Sequence, residues 1–438
     1  MRGEFLIDIK ATNNLLDRQR RVIEEVTRRC FFKGNNHYLC CRTCPAWEGA
    51  TLRIFPRRKE DMQVNIEQDV LMKGIANTLG VVDRRGSMPI LTHCLLEANG
   101  HGLVISATDL EVSFKGVYPA EVQEPGAFTV QAHALHSLVK DLPRGRLDFS
   151  GNDTRALLST GESRYKFNVL SPDQFPPIPD IEPEGLVELE VKPLLETIKK
   201  IIFSVSGDDL RYSLSSVFWE QVEHDGGAWL RMVSTDGHRL SLAEQPLPGE
   251  ARLELGSGIL VPVKAMQVIQ RFLSDCPQGT VKLGVNDQVL CLKAGDKGFS
   301  VRLLEKKFPD YRRIIPETCM RHFTFNRQEL AEALKRIVIL TRDRFRGVVF
   351  TLSGDCAEMV HENPEVGKGR EVVDIKEKTG EELVEPLTIG FNAPYLLAPL
   401  GVMQGETVVL GCNEPNRPTR LTDPADPGTV YLVMPMDM

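Results

Sequence analysis

The chain has 438 residues, 42% apolar and 26% charged, and carries a net charge of −7; one core rarely exceeds roughly 250–300 residues, so two to four domains are expected. No apolar run approaches the roughly 18–20 residues of a membrane helix, and no signal-peptide pattern opens the sequence. Ten cysteines form no regular framework, which excludes a disulfide-stapled scaffold and predicts a reducing, cytoplasmic setting.

Residues 1–61 hold 13 Lys+Arg against 8 Asp+Glu, a balance of +5, and the remainder carries −12. The body is therefore acidic, and any nucleic-acid affinity has to come from local basic patches. These first residues read as a basic N-terminal extension, either disordered or the product of a start codon set upstream of Met62. Cys30, His37, Cys40, Cys41 and Cys44 contain one C-x-x-C without a second pair at zinc spacing. No metal and no cofactor are predicted.

Apolar spacing of three to four then predicts an amphipathic helix over 71–82. A β-rich run at 101–122 follows, broken by Thr108-Asp109, and then a second helix over 132–145. The Pro-rich stretch 171–185 reads as a linker. The same succession returns as a helix over 193–205, an alternating run at 228–247 broken by Thr235-Asp236, and a helix over 263–279. A second linker spans 304–318. It returns once more as a helix over 329–340, a turn at Asn363 and a helix over 393–405.

The second helices start 131 and 130 residues apart, and Asp109, Asp236 and Asn363 recur at a spacing of 127. Asp and Asn suit tight turns because their side chains cap nearby N–H groups. This is an internal repeat. Three α+β domains are expected, at 62–182, 183–317 and 318–438.

The stretch "STDGHRL" brings Ser234, Asp236 and His238 within five positions. As a catalytic site it needs a nucleophile within reach of a base and a group to stabilise the oxyanion. No G-x-S-x-G elbow accompanies it. As the hairpin turn of the second domain it needs only Asp236-Gly237. The turn reading is carried forward, with a hydrolase built on Ser234, Asp236 and His238 as one alternative.

"ATDLEV" (107–112), "STDGHRLSL" (234–242), "KFPDYRRIIP" (307–316), "IGFNAPYLL" (389–397) and "YLVMPM" (431–436) together resemble the bacterial DNA polymerase III beta subunit, the replicative sliding clamp. The resemblance runs from about residue 62 to the end. It implies the DNA clamp fold: three similar domains, each with two helices packed on antiparallel sheets, dimerising head to tail into a closed ring around duplex DNA. Such a protein is no enzyme. It slides on DNA without sequence preference and tethers the polymerase III catalytic subunit, its clamp loader and other clamp-motif proteins of replication and repair. A repeat scaffold that does not encircle DNA is the second alternative. No G-x-x-x-x-G-K-[ST] is present, so ring opening calls for an external ATPase.

Because a sliding ring needs only a modest basic lining, candidates on outward helix faces are Lys73, Lys140, Lys199, Lys200, Lys264, Arg271, Lys335 and Arg336. By resemblance, Arg85, His133, Arg211 and Tyr212 also contact DNA. Asp208 and Asp209 set the third and fourth of these in an acidic context, and His133 is neutral at pH 7. The resemblance further implies a groove for an apolar partner peptide. It is made of Leu214, Thr235, Gly237, His238, Arg239, Leu240, Pro309, Arg313, Ile314, Asn392, Tyr395, Pro418, Val433, Met434, Pro435 and Met436. Aliphatic walls would bury the anchors, Met would adapt to several partners, and His238, Arg239 and Arg313 would orient polar groups at the rim. Asp437 stands where familiar clamps carry a basic residue.

Overall fold

The computed structural model describes residues 61–83, 88–179, 185–207, 213–224, 226–275, 279–286, 288–340 and 347–436. The zinc-like cysteines, Arg85, Asp208, Asp209, Arg211, Tyr212 and Asp437 lie outside them. Met62–Met438 form one compact unit, in which a two-helix motif occurs three times. Helix α1 (Gln68–Thr78) packs on α2 (Ala132–Asp141), α3 (Val191–Ile201) on α4 (Val263–Asp275), and α5 (Arg327–Val338) on α6 (Ala393–Val402).

The spacing of apolar residues explains each buried stripe. In α3, Leu194, Leu195, Ile198 and Ile201 face the core, while Lys192, Glu196 and Lys199 are exposed. In α5, Leu330, Leu334 and Ile337 are buried, and the N-cap Asn326 Oδ1 accepts the Glu329 N–H at 3.0 Å. The first helix starts earlier than its pattern predicts. The strand Met62–Glu67 runs straight into it, and Gln68, a polar residue, is buried because its Nε2 donates to the Val139 carbonyl at 2.7 Å.

All described strand pairs are antiparallel, in sheets of five, eight and twelve strands. Sheet pairing does not stop at the domain limits. Lys297–Arg302 of the second domain pairs with Val112–Tyr118 of the first, Val301 opposite Val112. Asp426–Val433 of the third pairs with Arg239–Pro246 of the second, Leu432 opposite Leu240. Both joints therefore have a backbone ladder.

The turns beside these joints repeat atom for atom. Asp109 Oδ1 accepts the Glu111 and Val112 N–H groups at 2.9 and 2.6 Å. Asp236 Oδ1 accepts those of His238 and Arg239 at 2.9 and 3.0 Å. Asn363 Oδ1 accepts those of Glu365 and Val366 at 2.9 and 3.2 Å. The next strand then closes on the turn. Arg302 N–H donates to Glu111 O at 2.8 Å in the first joint, and Met434 N–H to His238 O at 2.9 Å in the second. Asp236-Gly237 is not a two-residue hairpin turn: three residues, 236–238, connect the strands, and Gly237 takes φ 90°.

Candidate functional site

The stretch singled out for chemistry is a structural turn. Ser234 is fully buried, and its Oγ donates to the Ile201 carbonyl rather than to His238. Asp236 is committed to its own turn and to Arg239 Nε at 3.0 Å, while His238 is exposed. No nucleophile and base meet here, which removes the hydrolase reading.

At the second joint the structure gathers most of the residues named for a peptide groove. Arg239 lies between two rings, its guanidinium carbon 4.5 Å from the Tyr395 centroid and 5.7 Å from that of Phe203. The same group donates to Asp236 and to the Phe203 carbonyl. Only 16% of the side chain is exposed. Arg239 therefore braces the second domain against Tyr395 of the third. His238 faces Tyr395 at 6.5 Å between ring centroids. Thr235 is buried, its Oγ1 donating to Arg239 O at 2.7 Å and accepting Gly237 N–H at 3.1 Å, so it holds the turn.

Leu240 and Val433 are both buried but face opposite sides of the sheet: Leu240 packs with its partner Leu432 under the second linker, and Val433 packs into the core of the third domain. Pro418 leads into Thr419, which pairs with Val433. The C-terminal segment crosses the joint by two backbone bonds, Met434 N–H to His238 O and Met436 N–H to Gly390 O, each 2.9 Å. That sets Met434 against His238 and Met436 against Gly390, which lies two residues before Asn392. Leu214 is half-buried, its carbonyl accepting Ser206 N–H at 2.9 Å.

The second linker straps the outer face of the same sheet. Phe308 stacks on Phe218 at 5.1 Å and 6°, and Phe308 and Tyr311 cluster with Leu240, Leu242 and Leu432. Between these anchors and just beyond them, Pro309, Arg313 and Ile314 are left exposed. Among the described residues Arg313 pairs with Asp310, at 2.8 Å, and its side chain is 85% exposed. Ile314 and Met436 each expose 40% of their surface. Covering either returns up to about 1–2 kcal/mol.

A buried polar network holds the strap, and sequence reasoning missed it. Glu220 accepts from Tyr311 Oη, from Arg312 at 2.5 Å and from Arg231 at 3.2 Å, while Arg231 also binds Glu244. Burial and the bond to Glu220 push the Tyr311 hydroxyl up to about 12. Phe203, under Arg239, was also missed. Its place twelve residues after the start of α3 was the only available signal.

The basic candidates divide. Lys73, Lys140, Lys199, Arg271 and Lys335 are exposed. Three others already have ion-pair partners. Lys200 pairs with Asp426 at 2.6 Å and ties the second domain to the third. Lys264 binds Asp109 and the Val81 carbonyl, tying the second domain to the first. Arg336 grips Glu371 through two bonds, at 2.8 and 2.7 Å, and holds that carboxyl below its usual range. His133 is half-buried at the start of α2. His136, one turn on, was not singled out. Burial, then the charge of Arg271 and then that of Lys140, lowers its pKa.

Three family models match the chain in order: the N-terminal domain of the DNA polymerase III beta subunit at residues 62–179, its central domain at 188–310 and its C-terminal domain at 312–437. Beta sliding clamps are similar along the same span. That of Caulobacter vibrioides is 33% identical over 378 residues, which is 86% of this chain and 100% of the relative. That of Pseudomonas putida is 32% identical over 377, with the same coverage. Among solved structures, the Caulobacter crescentus beta sliding clamp has a TM-score of 0.79 at 32% identity, covering 87% of this chain and 100% of that one. The Bartonella birtlesii clamp bound to griselimycin has a TM-score of 0.80 at 27% identity, covering 86% and 100%.

Proposed function

Because the chain belongs to the DNA polymerase III beta subunit family, the beta sliding clamps, we propose that two copies close into a ring that encircles duplex DNA. The ring slides and tethers the replicative polymerase through the groove at the second joint. The chain acts in the cytoplasm as a non-catalytic subunit. Its other partners are a clamp loader and further proteins that carry a groove-binding peptide.

The observation that carries the ring is the repeated joint. Each domain offers the strand after its Asx turn, and the next domain's last strand adds to it. Two of the three offers are taken within the chain. The third, starting at Val366, has an open edge over 366–374, where Val366 and Val372 are exposed by 41% and 46%. The matching free strand is Ser163–Phe167 of the first domain, which among the described residues pairs on one side only, with Ala156–Thr160.

Carrying the register of the two internal joints across sets Phe167 of one copy opposite Val366 of the next, and Tyr165 opposite Lys368. Asn168 N–H then meets Glu365 O, as Met434 N–H meets His238 O. Ile339, twelve residues after the start of α5 and 78% exposed, is the counterpart of Phe203. Tyr165 would cover it as Tyr431 covers Phe203, at 5.9 Å. Pairing of these edges also removes two aggregation-prone strands.

Six helices, two per domain, supply the exposed cations Lys73, Lys140, Lys199, Arg271 and Lys335 to the DNA. Arg85, His133, Arg211 and Tyr212 join them on the family's pattern. The deciding experiment is retention on circular against linearised DNA after loading. A ring stays on the circle and runs off the linear form, whereas equal loss from both would reject encirclement and favour a scaffold.

A further inference from the structure

A second pocket lies on the sheet face that packs under the second linker. It is open, has a volume of about 310 Å³, and is floored by Leu242 and Val430, which pair with each other across the second joint. Along that strand Leu242 is two residues from Leu240, on the same face and about 7 Å away. The strap divides the two sites: Pro309, Arg313 and Ile314 belong to the groove, Ile315 and Glu317 to the pocket.

One charge in the lining of this pocket has no ion-pair partner among the described residues. Both guanidinium groups are consumed, Arg231 by Glu220 and Glu244 and Arg312 by Glu220. The third carboxylate, Glu317, is exposed and has no ion pair among the described residues. The lining itself holds two cations and two carboxylates, with Glu220 behind it, and Glu317 is the one carboxylate there that has no ion pair among the described residues, beside an aliphatic floor. That pairing of surfaces suits a side chain with an apolar stem and a cationic head.

We infer that this pocket is a second subsite for the partner segment, and that it takes a Lys or Arg side chain a few residues outside the apolar anchors. The inference rests on the groove reading above. The stem lies on Leu242 and Val430, and the head reaches Glu317. A basic flank would then separate partners that share the same anchors, which is discrimination by charge added to an apolar site.

The test uses the full chain and a fluorescent peptide with the polymerase's apolar anchors. A single Lys is moved through the four positions on each side of the anchors, against Ala at the same position. One Lys position should tighten binding by roughly three- to fivefold, the range of a partly exposed ion pair. The gain should vanish in Glu317→Gln, reverse in Glu317→Lys and shrink as salt is raised. Lys scanning without any gain, or a gain that survives both substitutions, overturns the subsite. In either case binding of the Ala peptide, competed by griselimycin, leaves the groove itself standing. Failure of the Ala peptide to bind overturns both.

Discussion

Replacing Arg239 by Ala separates a brace from a ligand contact. In the folded chain the guanidinium lies 4.5 Å from the Tyr395 ring and is 16% exposed, so its cation–π contribution is about 1–2 kcal/mol. It also donates to Asp236 at 3.0 Å and to the Phe203 carbonyl, and losing charge-assisted bonds of this kind costs about 1.5 kcal/mol or more. Together Arg239→Ala should destabilise the second joint by about 3 kcal/mol. For domains of this size that is a fall of about 10 °C in the midpoint of thermal unfolding. Affinity for the polymerase peptide of the proposed groove should fall as well, through displacement of Tyr395. A double-mutant cycle with Tyr395→Leu should give a coupling of about 1 kcal/mol or more. If Arg239→Ala melts within a degree or two of the parent yet no longer binds the polymerase peptide, the side chain touches the peptide directly and the bracing role is wrong.

Four further outcomes are expected. Cysteines at Tyr165 and Lys368 should cross-link two copies, whereas the pair Tyr165 and Arg370 should not; the reverse pattern would refute the register proposed for the third joint. Deleting residues 434–438 removes the bonds from Met434 to His238 O and from Met436 to Gly390 O, and should weaken polymerase-peptide binding while dimer size by light scattering stays unchanged; unaltered peptide affinity by titration would contradict it. Lys264→Met should speed hydrogen exchange at the Glu111 and Val112 amides of the Asp109 turn, and unchanged protection there would deny the strut. Burial holds His93, and burial with Arg271 holds His136, below the ordinary 6.5. The unfolded chain therefore takes up these protons first, and stability should fall as pH drops through about 6.5. Replacing both with Gln should flatten that slope in melts between pH 8 and 5.5.

Much of this fold was legible because its signals are local. Asp109, Asp236 and Asn363 mark three equivalent turns by residue type and spacing alone, and each proved to cap its own backbone. Among the described residues, apolar periodicity located all six α-helices, with α1 shifted because its first turn is held by buried Gln68, which no hydropathy pattern reveals. What the sequence did not carry was tertiary. Lys200 and Lys264 look like solvated helix charges, yet each is drawn to a carboxylate of the neighbouring domain. Arg239 looks like a rim residue, and only the arrival of Tyr395 and Phe203 from other elements makes it a brace. Strand pairing across the domain limits has no local signature either, because an edge strand and an internal one can share the same alternation.

That pairing has a thermal consequence. Cooperative unfolding follows hydrogen-bonded, tightly packed regions rather than positions in the sequence. The twelve-stranded sheet takes in the strands of the second domain from Ser216 to Pro262 and those of the third to Val433 without a gap. The eight-stranded sheet likewise unites the rest of the second domain with the first. The second domain is thus divided between two melting units, and calorimetry of the whole chain should resolve fewer transitions than there are domains.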